Sequence, residues 1–88
     1  MIKFTLITGA SSGIGLEMAK VCAEKGMNLL LISLPKEDLE AKSISISTKY
    51  KIKVEYFECD LTEISDINNL VKWVEESGFN VNFLINNA

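Results

Sequence analysis

The chain has 88 residues, enough for one small domain, and its 48% apolar content is that of a globular protein rather than a disordered one. The net charge is −3 with no basic cluster, which argues against nucleic acid or an anionic membrane as the main partner. The longest apolar run, Leu29 to Ile32, is far too short to span a bilayer.

Residues 3–8 read as a first strand, with Phe4, Leu6 and Ile7 apolar, and a near-continuous apolar strand suits a parallel sheet covered on both faces. A helix follows from about Gly13 to Lys25, with Ile14, Met18, Val21 and Cys22 at helical spacing and expected to face the sheet. Gly26 caps it. Met27 to Ser33 gives a second strand. Pro35 is expected to open a second helix, Lys36 to about Tyr50, with Glu37 and Asp38 suited to the dipole of its first turn. The run Ser43-Ile44-Ser45-Ile46-Ser47 alternates with period two, a strand pattern. Helix is preferred because the segment lies between two strong strands, where a parallel sheet needs a crossover.

A third strand is expected over Lys53 to Cys59, then a loop at Asp60-Leu61-Thr62. A third helix runs from about Ile64 to Ser77, with Ile64, Ile67, Leu70, Val71 and Val74 in one apolar stripe, and Gly78 ends it. Val81 to Asn86 is a fourth strand. Trp73 reads as packing, Phe79 and Phe83 as cover for the sheet, and Lys49, Lys51 and Lys53 as a solvated edge.

The order is thus β-α-β-α-β-α-β, an α/β doubly wound parallel sheet. Right-handed crossovers put the first two helices on one face and the third on the other, giving a strand order of 3-2-1-4. A ligand crevice is expected between strands one and four, at their carboxyl ends. A fourth strand with no helix after it exposes an unpaired edge and apolar surface. The chain is therefore expected to be the N-terminal half-domain, residues 1–88, of a longer protein.

The stretch Thr8-Gly9-Ala10-Ser11-Ser12-Gly13-Ile14-Gly15 joins the first strand to the first helix. A strand, a glycine turn and a helix start form a cradle for phosphate, because the N–H groups of the first helical turn and the positive end of the dipole face an anion. Gly9 allows the sharp turn, Gly13 leaves room for a pyrophosphate, and Gly15 lets the helix lie close to the strand. Ile14 stands where a P-loop needs lysine. Cys22 and Cys59, with no histidine in the chain, make neither a zinc site nor a disulfide framework, and no metal site is expected. The two cysteines and the lack of a recognisable secretion signal suit a reducing cytoplasm.

Thr-Gly-x-x-x-Gly-Ile-Gly after an N-terminal strand resembles the short-chain dehydrogenase/reductase family. Two further motifs fall in the family's order: Asp60-Leu61 after the third strand, and Asn86-Asn87-Ala88, like the start of its Asn-Asn-Ala-Gly segment. The resemblance implies a Rossmann-like fold that binds NADP or NAD. It places Gly9, Ser11, Ser12, Gly13, Ile14 and Gly15 around the diphosphate and Asp60 and Leu61 at the adenine. Asn87 and Ala88 would lie against the cofactor, with Asn86 bracing the sheet. Such folds usually carry a selecting residue at the end of strand two; here Ser33 and Leu34 stand there, with Lys36 nearby. The absence of a repelling carboxylate at that point leans toward NADP, although Ser33 could equally cap the next helix.

The family's catalytic Tyr-x-x-x-Lys pair has no counterpart here, since neither Tyr50 nor Tyr56 has lysine four positions on. No catalytic residue is assigned, and the 88 residues alone are expected to be inactive. The resemblance implies an oxidoreductase that moves hydride between a nicotinamide and a small carbonyl or alcohol substrate, as a cytoplasmic homo-oligomer. The alternative is a non-catalytic dinucleotide-binding or dimerisation module.

Overall fold

The computed structural model describes residues 2–87. Four strands and three helices alternate: β1 (Lys3–Thr8), α1 (Gly13–Glu24), β2 (Asn28–Ser33), α2 (Leu39–Tyr50), β3 (Val54–Glu58), α3 (Ile64–Ser77) and β4 (Asn80–Ile85). The strands form one parallel sheet in the order β3-β2-β1-β4. Thr5 of β1 pairs with Leu29 of β2, and Leu29 in turn pairs with Val54 of β3. The β1–β4 register shifts between Phe4 and Thr5.

The central strands carry the core. Leu29, Leu30, Leu31 and Ile32 are wholly buried, as is Ile7. Alternation along β2 sends Leu29 and Leu31 to the face covered by α1 and α2, where they meet Ile7, Ala19, Leu39 and Ile46. Leu30 and Ile32 point to the other face and join Phe4, Leu6 and Cys59, with Leu70, Trp73 and Val74 of α3 packed on them. Each such aliphatic side chain contributes roughly 1.5–3 kcal/mol through removal from water. Trp73 stacks on Phe57 with ring centroids 5.0 Å apart, and Phe79 meets Phe4 edge-on at 5.0 Å.

The structure departs from the sequence-based expectations in several places. On α1 the buried residues are Gly15, Ala19, Cys22 and Ala23, while Ile14, Met18 and Val21 are exposed. The small residues, not the bulky ones, turn inward because they let the helix axis approach the sheet. The bulky residues instead line an apolar groove beside Ile85 of β4. The second helix begins at Leu39, later than Pro35 suggests. Left-handed backbone at Lys36 and Asp38 makes a turn of residues 35–38, and the helical ladder starts only where Lys42 N–H donates to the Asp38 carbonyl at 3.1 Å. The alternating serine and isoleucine run is helical after all: Ser43 and Ile46, three apart, face the core, and Ile44 faces solvent.

Within α3, Ile64, Ile67 and Val71 of the expected stripe are exposed, and Phe83 on β4 is exposed with Leu84. Ile67 lines a cleft together with Asp60 and Leu61, and Phe83 and Leu84 lie on the edge strand of the sheet. Lys51 ends α2 in the left-handed conformation, its N–H donating to the Ser47 carbonyl at 2.9 Å. A glycine is the usual occupant of such a position. Among the described residues no helix is long and apolar enough to cross a membrane.

Candidate functional site: the cleft above the glycine turn

The glycine turn leaves β1 at Thr8 and is pinned at once to the neighbouring strand, because the Ala10 N–H donates to the Ile32 carbonyl at 3.0 Å. Ser12 is extended, and α1 begins beyond it with the Leu16 N–H donating to the Ser12 carbonyl at 3.2 Å. The amides of Gly13, Ile14 and Gly15 therefore lie ahead of the helical ladder, at the positive end of the dipole. A Cβ added at Gly15 would collide with the Gly9 carbonyl oxygen and come within 2.6 Å of Asn87 Nδ2, whereas one at Gly13 would meet open space. The close approach expected of Gly15 is thus to the turn just past the strand, and the space expected above Gly13 is present.

The far side of the turn is tied to β4. Thr8 Oγ1 donates to Asn86 Oδ1 at 3.1 Å and accepts the Asn87 N–H at 2.9 Å. Asn87 Nδ2 donates to the Gly9 carbonyl at 3.3 Å. Asn86 braces the sheet as expected, and Asn87 holds the glycine turn directly. Ala88 lies outside the described residues.

A cleft of about 690 Å³ opens over the carboxyl ends of the strands. It brings together Gly9, Ser11 and Ser12 of the turn, Ser33 and Leu34 after β2, and Asp60 and Leu61 after β3, with Asn86 at the edge. Gly13 and Ile14 sit at the helix mouth, on the rim of the neighbouring apolar groove. Ser33 is buried, and its Oγ donates to the Leu34 carbonyl at 3.0 Å. It does not cap α2, whose N-terminal flanking residue is Asp38.

Asp60 organises its own loop: Oδ1 accepts both the Thr62 N–H at 2.9 Å and the Thr62 hydroxyl at 2.6 Å. These bonds hold its carboxyl below the ordinary carboxylate range. The Asp60 N–H donates to Asp66 Oδ2 at 2.7 Å, fixing the loop to the first turn of α3. Cys59 is buried on the cleft wall, and burial, with Asp66 and Asp60 beside it, pushes its thiol up, away from a reactive thiolate.

Glu37 also lines the cleft, although the sequence places it in the first turn of the second helix. Glu37 stands on the turn before α2, and its carboxylate accepts a hydrogen bond from the Ser11 hydroxyl. Lys42 Nζ donates to the Ser11 carbonyl and, at 3.0 Å, to the Glu37 carbonyl, clamping this turn onto the glycine turn. Reading Pro35 as a helix start puts Glu37 in a first turn and hides it. The late start of α2 is what swings it into the cleft.

The sequence profile described as short chain dehydrogenase matches residues 3–88. The chain belongs to the short-chain dehydrogenase family. Among relatives, it is 43% identical over 86 residues to a fatty acyl-CoA reductase of Acinetobacter baylyi, covering 98% of this chain and 29% of that protein. It is 44% identical over 89 residues to a very-long-chain 3-oxoacyl-CoA reductase of Pyrenophora tritici-repentis, covering 97% of this chain and 26% of the relative. Its backbone is similar to that of L-sorbose reductase from Gluconobacter frateurii, complexed with NADPH and L-sorbose, with a TM-score of 0.90 and 30% identity over 99% of this chain and 33% of the other. The chain thus spans about a third or less of the length of these relatives.

This short-chain dehydrogenase chain presents backbone N–H donors at the mouth of α1, next to the cleft. The helix-mouth amides and the Ser12 side suit a diphosphate, and the Asp60-Leu61 end offers a carboxylate acceptor beside an apolar side chain. A Cβ built at Gly13 meets nothing within 4 Å, so the backbone there is open.

Proposed function

We propose that residues 1–88 are the dinucleotide-binding portion of a short-chain oxidoreductase that reduces a small carbonyl compound or oxidises the matching alcohol. The observation that carries this reading is the cleft that joins Gly9, Ser11 and Ser12 to Ser33, Leu34, Asp60 and Leu61. In this assignment the amides of Gly13, Ile14 and Gly15 hold the diphosphate. Asp60 accepts from the adenine amino group and Leu61 packs on the ring. Ser33 and Leu34 border the adenosine ribose, and Asn87 lines the path toward the nicotinamide.

When bound, the nicotinamide supplies the hydride chemistry. What this chain contributes is binding, orientation and a water-poor wall. No acid–base group for the substrate proton is assigned among these residues, since neither Tyr50 nor Tyr56 has lysine four positions on. The cofactor is NADP or NAD, with the lean toward NADP supported by the NADPH in the sorbose reductase complex. The protein works in the cytoplasm as a homo-oligomer in this reading, in keeping with two buried free thiols and the exposed Phe83 and Leu84 of β4.

Titration calorimetry of the intact protein with NADPH and with NADH tests the reading. Saturable binding of at least one, abolished by Gly13→Val, is expected. No binding of either at millimolar concentration overturns it.

A further inference from the structure

The end of β2 carries no charge at the cleft, since Ser33 and Leu34 are both neutral. The absence of a repelling carboxylate therefore holds for the strand end itself. The turn that follows supplies one from outside that position. Glu37 reaches back over residues 34–36 and sets its carboxylate on the Ser11 hydroxyl, within the same cleft as Ser33. Lys42 holds the backbone of the turn in place through the carbonyls of Ser11 and Glu37, not through the Glu37 carboxylate. Among the described residues no lysine makes an ion pair with that carboxylate. Its charge is left facing the cleft.

With the diphosphate at the mouth of α1 and the adenine at Asp60-Leu61, the adenosine ribose lies between them, alongside Ser11 and Ser33. We propose that Glu37, rather than a residue of the β2 end, sets how the protein treats the 2′ position of that ribose. An inference of this kind rests on the dinucleotide reading of the cleft. A free 2′-hydroxyl can donate to the Glu37 carboxylate. A 2′-phosphate meets a like charge at close range in a partly desolvated cleft, where the repulsion is only weakly screened. Glu37 thereby tempers whatever preference the neutral strand end gives to NADP.

The test compares dissociation constants of NADH and NADPH for the wild-type protein, Glu37→Gln and Glu37→Ala, by titration calorimetry on the intact protein. Fold is checked by circular dichroism. Adenosine 2′,5′-bisphosphate and 5′-AMP serve as probes that carry the same difference without the nicotinamide. Removing the charge should shift the NADPH-to-NADH affinity ratio toward NADPH by about tenfold or more, and the two nucleotide probes should shift in parallel. Either folded variant decides the matter. A ratio unchanged within about twofold, with both cofactors still bound, overturns the role of Glu37 and leaves the dinucleotide reading standing. Wild-type protein that binds none of the four molecules overturns both.

Discussion

The Gly9 carbonyl oxygen occupies the space where a side chain at Gly15 would have to go. Two glycines two residues apart in the same turn therefore have different reasons to be glycine. Gly15→Ala forces the new Cβ against the Gly9 carbonyl and should lower stability by roughly 2–3 kcal/mol, read as a drop in the urea midpoint. Gly13→Ala adds a Cβ that meets nothing, and its cost comes from φ +55 alone, about 1–2 kcal/mol. Equal losses for the two alanines would contradict this distinction.

Thr8 joins the end of the central strand β1 to the segment just past the edge strand β4. Its hydroxyl donates to Asn86 Oδ1 at 3.1 Å and accepts the Asn87 N–H at 2.9 Å. Thr8→Val keeps the shape and removes both bonds in a buried setting, which should cost about 1–3 kcal/mol. Thr8→Ser retains the hydroxyl and should recover most of that loss. Amide hydrogen exchange at Asn87 should quicken in the valine variant and not in the serine one.

At the end of α2, Lys51 holds a left-handed conformation, φ 56, ψ 45, without the freedom of glycine. Replacing it removes the steric cost of a Cβ there. Lys51→Gly should therefore raise stability by about 1 kcal/mol, measured as a higher urea midpoint with unchanged slope. A loss of stability would mean that the lysine stem makes a packing contribution larger than the backbone cost.

The carboxyl of Asp60 sits below its ordinary value because the Thr62 hydroxyl and N–H both donate to it. A group whose folded value is depressed favours the folded state above its unfolded value. That contribution is lost as pH falls through the folded one. The loop should accordingly loosen only in acid, below the usual aspartate range. Thr62→Val removes the hydroxyl donor and leaves the N–H, so carboxyl carbon NMR should show the Asp60 titration moving upward, toward 3.8. No movement would mean that the hydroxyl bond does not form in solution.

The sequence by itself determined the order of elements, the sheet topology and the three motif positions. Each of these follows from local causes: apolar runs of strand length, glycines where the backbone turns left-handed, and the right-handed rule for crossovers. Asp60, Ser33 and the glycine turn could be placed in one cleft because parallel strands deliver all their carboxyl ends to the same edge. The tertiary structure decided which side of α1 is buried, since a stripe of Gly15, Ala19 and Ala23 permits an approach to the sheet that Ile14, Met18 and Val21 would block. It also decided that Glu37 faces the cleft. That depends on where the first bond of α2 closes and on a lysine five residues further along, and no period or propensity in the chain encodes such a contact between two turns.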